Sequence, residues 1–164
     1  MSIRKIISMS SCAMLLTIGS AYADINVIDS YSYETSPGMR VGAAFMTIEN
    51  TGDQIERIVG ATSSVCNQVE IHTMEQGESG IMMMRKVKDG LEIKPGEKLV
   101  LSSQGYHLML VGLHDTLVEN KNIDVTLERE TGEPIALKIQ VFSRAGYKAH
   151  TDKKETEKSS APQE

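Results

Sequence analysis

The sequence predicts an all-β protein: one antiparallel sandwich or barrel domain, preceded by a cleaved leader and followed by a polar tail. Three observations lead there. Apolar residues recur at every second position in run after run. Gly-, Pro- and Asn-containing turns separate those runs at short intervals. No stretch sustains a helical period long enough to build a helix of consequence.

The leader comes first. Arg4 and Lys5 form a short positive region, Ile6 to Ile18 is mostly apolar, and Ala21-Tyr22-Ala23 supplies a small-x-small cleavage pattern. That order reads as a secretory signal peptide over 1–23, with Asp24 as the mature start. The apolar stretch is too short to remain as a membrane span, which needs about 20 residues. No stable membrane insertion is therefore expected after cleavage. Cys12 sits before the apolar region ends, which is not where a lipidated cysteine falls. The expected localisation is the periplasm.

The predicted domain occupies 24–145. In "AAFMTIEN" Ala44, Met46 and Ile48 share one face, and "NTGD" turns the chain. A turn or short helix is expected near Ala61 to Cys66. In "QVEIHT" Val69 and Ile71 alternate with Gln68, Glu70 and His72, so His72 points away from the core. "KPGEKLVLSS" is a turn followed by a strand carrying Leu99 and Leu101. "YHLMLVGL" sets Leu108 and Leu110 opposite His107 and Met109. "IDVTLERETGEPIALKIQV" reads as a hairpin around Thr131-Gly132, in which Ile123, Val125 and Leu127 answer Ile135, Leu137, Ile139 and Val141. After Arg144 the composition turns charged and polar, so 146–164 is expected to be a disordered tail. Short strands at this spacing suit a sandwich or barrel.

Charge and cysteine content narrow the function. Loss of Arg4 and Lys5 with the leader takes the formal charge from −5 to −7, which argues against nucleic acid or anionic lipid as the main partner. Only Cys66 survives cleavage, so no internal disulfide is possible and the domain must stand on its core or on a ligand. A monomer is expected.

The methionines and histidines form the one constellation with chemistry. His107 and Met109 share the non-core face of a strand, where core filling does not explain them. A thioether two residues from an imidazole is a ready pair of ligands, and soft sulfur with imidazole favours Cu(I). His72 and a methionine of "IMMMRKV" would complete two imidazoles and two thioethers. Taken singly, each residue has a plain reading: a methionine in a strand is commonly core, and a lone histidine is commonly a surface hydrogen-bonding group.

"ENTG", "VEIHTM", "MMMRKV", "LEIKPGEKLVL" and "GYHLMLVGL" together resemble the periplasmic copper chaperones of the PCu(A)C type, over about Val41 to Val141. The resemblance implies a cupredoxin-like Greek-key β-barrel that binds Cu(I) through His72, Met84, His107 and Met109. It further implies delivery of copper toward the dinuclear copper site of cytochrome c oxidase, through a thioredoxin-fold acceptor of the Sco type or the oxidase's copper-binding subunit. Each gap in the ligand pattern is one residue longer here, with eleven residues between His72 and Met84 and twenty-two between Met84 and His107. Met83 restores the first gap but lengthens the second. Met84-Arg85-Lys86-Val87 fits the family's residues after the methionine, so Met84 is the expected ligand. The extra residues fall in "EQGESG" and "VKDG", both turn-like. Met82 would shield Met84, Met83 is expected in the core, and Met74 is an alternative thioether near His72.

Three further residues carry weaker signals. Six strand residues place Cys66 about 20 Å from His72, too far to share a metal unless the chain bends. His114-Asp115 lacks a nucleophile partner and reads as a solvated turn. His150 lies in the tail. The leading expectation is a copper carrier and not an enzyme. The competing one is a structural or adhesive exported β-sandwich with incidental His and Met residues.

Overall fold

The computed structural model describes residues 25–77 and 80–159. The expected leader and the last five residues lie outside them. Ten strands and one helix follow in chain order: β1 (Ile25–Tyr33), β2 (Val41–Asn50), β3 (Glu56–Ser63), β4 (Cys66–Gln76), β5 (Met82–Lys86), β6 (Leu91–Ile93), β7 (Lys98–Leu101), β8 (His107–Leu113), β9 (Asn122–Arg129), β10 (Ile135–Phe142) and α1 (Arg144–Ser159). Strands β4, β8, β2, β1, β10, β9 and β3 pair in that order, and a β3–β4 contact at Ala61 and Val69 closes them into a barrel. β5, β6 and β7 are added outside this ring on β4, β3 and β2. All pairings are antiparallel except β1 with β10, where the first and last strands run parallel side by side. This is the cupredoxin-like Greek-key arrangement.

Period-two patterning explains the core. Ala44, Met46 and Ile48 of β2, Leu108 and Leu110 of β8, and Val125 and Leu127 of β9 are essentially inaccessible. The predicted β9–β10 hairpin holds residue for residue: Ile123 faces Ile139, Val125 faces Leu137, and Leu127 faces Ile135. In the "NTGD" turn the Asn50 side chain does the organising. Its amide donates to the carbonyls of Gln54 and Ile93, at 2.7 and 2.9 Å, and its oxygen accepts from the Gly52 N–H. A buried amide satisfied on both ends fixes the turn against β6.

Of the turn or short helix expected near Ala61 to Cys66, the turn is what forms: β3 runs to Ser63, and a two-residue turn leads straight into β4. Two expectations are corrected. Met83 is not core but 39% exposed. β5 is an edge strand paired only with β4, and it lies outside the ring, so both its faces meet solvent. Finally, 144–159 forms α1 where a disordered tail was expected. Ala, Lys and Glu are good helix formers, Ser143 Oγ caps the first turn by accepting from Gly146 N–H, and Tyr147 docks the helix. Its ring stacks on Tyr31 with centres 3.8 Å apart, beside Tyr33 and Phe142. A tail with one well-placed aromatic can be anchored even when little else in it is apolar.

Candidate metal centre

Strand register brings the expected residues to one outer face. His72 on β4 stands directly opposite His107 on β8, and their ring centres are 6.1 Å apart. On the same face Met109 lies level with Glu70 of β4 and Ala43 of β2. Across the other edge of β4, Lys86 of β5 is opposite His72 and Met84 is opposite Met74. Parity therefore sets Met84 on the side of His72, whereas Met83 pairs with Glu75 on the reverse side.

The four residues form a strip with the histidine pair at its centre. Met84 lies on the hairpin side of the pair and Met109 on the far side, four positions apart in register. At about 3.3 Å per residue their backbones stand roughly 13 Å apart along the strands. Both thioethers reach one ion only by extending toward the histidines from opposite sides.

Each ring has its tautomer set by a fixed partner. His107 is 3% exposed, and its Nδ1 lies 3.1 Å from the Gly105 carbonyl. A carbonyl only accepts, so Nδ1 carries the proton and Nε2 is the lone-pair nitrogen. His72 is arranged the other way round. Its Nε2 is 2.8 Å from Glu70 Oε2, which assigns the proton to Nε2, while the buried Nδ1 has no hydrogen-bond partner among the described residues. A buried nitrogen lone pair left unpartnered is unfavourable in a folded protein unless a ligand completes it. The other Glu70 oxygen accepts from Lys86 Nζ at 2.7 Å. Lys86 foremost, then His72, holds the Glu70 carboxyl below the usual carboxylate range, so the group that orients His72 stays charged. A ring centre lies about 3 Å from a metal bound through its nitrogen at about 2.0 Å. Two rings centred 6.1 Å apart can therefore face one ion from opposite sides.

The donor set decides which ion suits the site. Among the described residues no three His, Cys, Asp or Glu side chains converge to hold a metal. Any ion here would have to draw on thioethers, a soft and neutral donor set suited to a monovalent soft cation. Cys66, at the start of β4, is buried, and its thiol is pushed up by that burial. It belongs to the core and not to this face. His114 sits in a turn, with its ring nitrogens against the Ser64 carbonyl and Asn67 Oδ1, as a structural residue would. His150 lies on α1 against Phe142.

Sequence reasoning missed two features. Glu70 was legible as a polar residue on the face of His72, two positions before it, but nothing local announced that it would clamp the ring. The burial of His107 was hidden altogether. It depends on Phe45, which itself packs under Tyr31 and Tyr33, and so on a second small aromatic layer outside the barrel.

Comparison with known proteins agrees with the fold. The LpqE-like family, described as "Putative lipoprotein LpqE-like", matches residues 25–141. A relative from Leifsonia xyli subsp. xyli, "Putative lipoprotein Lxx21020", is 34% identical over 118 residues, covering 71% of this chain and 70% of that protein. Among solved structures, the apo PCuAC domain from PmoF1 superposes with a TM-score of 0.62 at 15% identity, over 73% of this chain and 93% of that one. The CuI form of DR1885 from Deinococcus radiodurans superposes with a TM-score of 0.56 at 25% identity, over 79% and 86%.

Proposed function

Since the chain belongs to the LpqE-like family, we propose that it is an exported Cu(I) carrier of that family, binding the ion through His72, His107, Met84 and Met109. The observation that carries this reading is the buried, unpartnered Nδ1 of His72, held opposite His107 on a face that also carries thioethers. The likeness to the CuI form of DR1885 supports copper as the cargo. The lipoprotein names in the family support export, and the periplasm is the compartment we propose.

A carrier must hold its ion and also give it up. Imidazole and thioether ligands are neutral, and thioethers do not form disulfides in an oxidising compartment. The exposed Met84 is the ligand an acceptor can displace first. We place the handover at a dithiol acceptor of the thioredoxin-fold Sco type, or at the copper-binding subunit of cytochrome c oxidase, and assign no catalytic role.

The test is Cu(I) titration of the mature protein against a competing chelator. One Cu(I) per chain is expected. Met109→Leu and Met84→Leu should weaken binding, with stability changed by less than about 1.5 kcal/mol. Cys66→Ser and Met83→Leu should leave binding alone. Abolished binding in Cys66→Ser with Met109→Leu intact would show that the ion sits elsewhere. Stopped-flow transfer to a dithiol acceptor, with acceptor concentration varied, separates direct handover from passive storage: a rate fixed at spontaneous dissociation whatever the acceptor means storage.

A further inference from the structure

The exposed methionine run is only partly used by the site above. Met84 enters it, but Met82 and Met74 do not, and Met82 is 51% exposed on a strand that gains nothing from burial. Register resolves the run into two faces. Met82, Met84 and Met74 lie on the side of His72, while Met83 lies on the reverse side. Met74 and Met84 are a direct cross-strand pair, and such pairs hold their Cβ atoms about 4.5–5.5 Å apart. Met82 follows two positions along β5, about 7 Å from Met84, opposite Gln76. These spacings fit three long thioether side chains converging on one ion.

From this geometry we infer a second soft-metal site: a landing site for Cu(I) formed by Met74, Met82 and Met84 at the hairpin end of β4 and β5, feeding the histidine pair. It rests on the carrier reading and adds the route by which the ion is loaded. The ligands form overlapping triangles. Met82, Met74 and Met84 make the first. Exchanging Met82 for His72 makes the second, because His72 is two positions from Met74 and one strand across from Lys86, the next outward residue after Met84 on this face. Exchanging Met74 for His107 and Met109, with Met84 kept, completes the transfer. Each step replaces some ligands while others still hold the ion, so the cation is never released to water. Copper remains Cu(I) throughout, and no electron or proton moves.

The surroundings favour a soft ion. Among the described residues, those on this face at the hairpin end are Met74, Gln76, Met82 and Met84, with no carboxylate among them. Glu75 and Arg85 pair with each other on the reverse side. Hard divalent cations, which select carboxylate and carbonyl oxygen, therefore find no charged donor among these four side chains. Side-chain exposure is what an arriving ion requires, and it accounts for large apolar residues left in solvent beside a site that is itself partly buried.

Two measurements test the landing site. In the first, Ag(I), a redox-silent soft monovalent probe, is titrated into the mature chain carrying His72→Gln and His107→Gln, with the methionine methyls followed by NMR. The methyls of Met74, Met82 and Met84 should shift together while Met83 stays in place. No shift, or a shift of Met83 as large as theirs, overturns the proposal. In the second, Cu(I) loading of the otherwise natural chain is followed by stopped flow. Met82→Leu should load several-fold more slowly than Met83→Leu, with the same equilibrium affinity. Equal loading rates overturn the proposal, and this arm decides alone if the double histidine variant fails to fold. Should the natural chain take up no Cu(I) at equilibrium, the carrier reading fails with it. If it takes up one ion and Met82→Leu loads normally, only the landing site falls.

Discussion

Replacing Glu70 separates orientation of the site from its donor atoms. The carboxylate touches no ion in the proposed site, yet it accepts from His72 Nε2 at 2.8 Å and from Lys86 Nζ at 2.7 Å. In Glu70→Ala the His72 ring loses the partner that keeps its proton on Nε2, so the Nδ1-protonated tautomer becomes accessible and removes the Nδ1 lone pair. Outer-shell partners of metal-binding histidines typically contribute 10–100-fold in affinity, about 1.4–2.7 kcal/mol. The stability loss should be of similar size. The Lys86 partner is 55% exposed, and pairs of that kind contribute about 1 kcal/mol or less, while the hydrogen bond from His72 to the charged carboxylate contributes about 1.5–3 kcal/mol. Glu70→Gln keeps an oxygen that accepts from His72 but gives up the charge, so it should lose less affinity than the alanine variant. The assay is Cu(I) competition titration of the three proteins, with nitrogen-15 NMR of the apo His72 ring to read the tautomer. Glu70→Ala binding as tightly as the natural protein, with the ring still protonated at Nε2, would refute the orienting role.

Other expectations follow from the same contacts. Glu70 has its folded-state carboxyl lowered, so its contribution to stability is present above the ordinary carboxylate range and is lost as pH falls through the lowered value; Glu70→Gln should flatten the acid limb of a melting-temperature profile, and an unchanged limb would count against it. Burial, and then the Tyr147 hydrogen bond, raise the Tyr31 phenol to about 12, so Tyr147→Ala should bring it back toward 10 in an ultraviolet titration and lower stability by about 1–2 kcal/mol; an unmoved Tyr31 would mean that α1 does not dock there. The Cys66 thiol, buried and raised by that burial, should react with a thiol reagent far more slowly in the native protein than in denaturant, and equal rates would disprove its burial. Mass spectrometry of the exported protein should find Asp24 at the amino terminus, whereas a lipid-modified chain beginning at Cys12 would overturn the leader reading.

Where a single strand's own chemistry decides, the sequence determined the outcome. Alternation within "FMTIEN", "YHLML" and the 122–142 hairpin fixes which side chains face the barrel interior, because side chains in a strand must alternate between faces whatever the strand's neighbours are. The same rule put His107 and Met109 on one face and separated Met84 from Met83. Pairing between distant strands is different, since it depends on which edges meet. Only the tertiary structure set His72 opposite His107 and placed β5 outside the ring, where Met83 has no core to enter. The helix at 144–159 was hidden for a related reason. Its anchor is the stack of Tyr147 on Tyr31, a contact across more than a hundred residues that no local pattern encodes. The clamp on His72 combines both kinds of information: Glu70 shares its face by strand parity, but the Lys86 that holds Glu70 arrives from another strand.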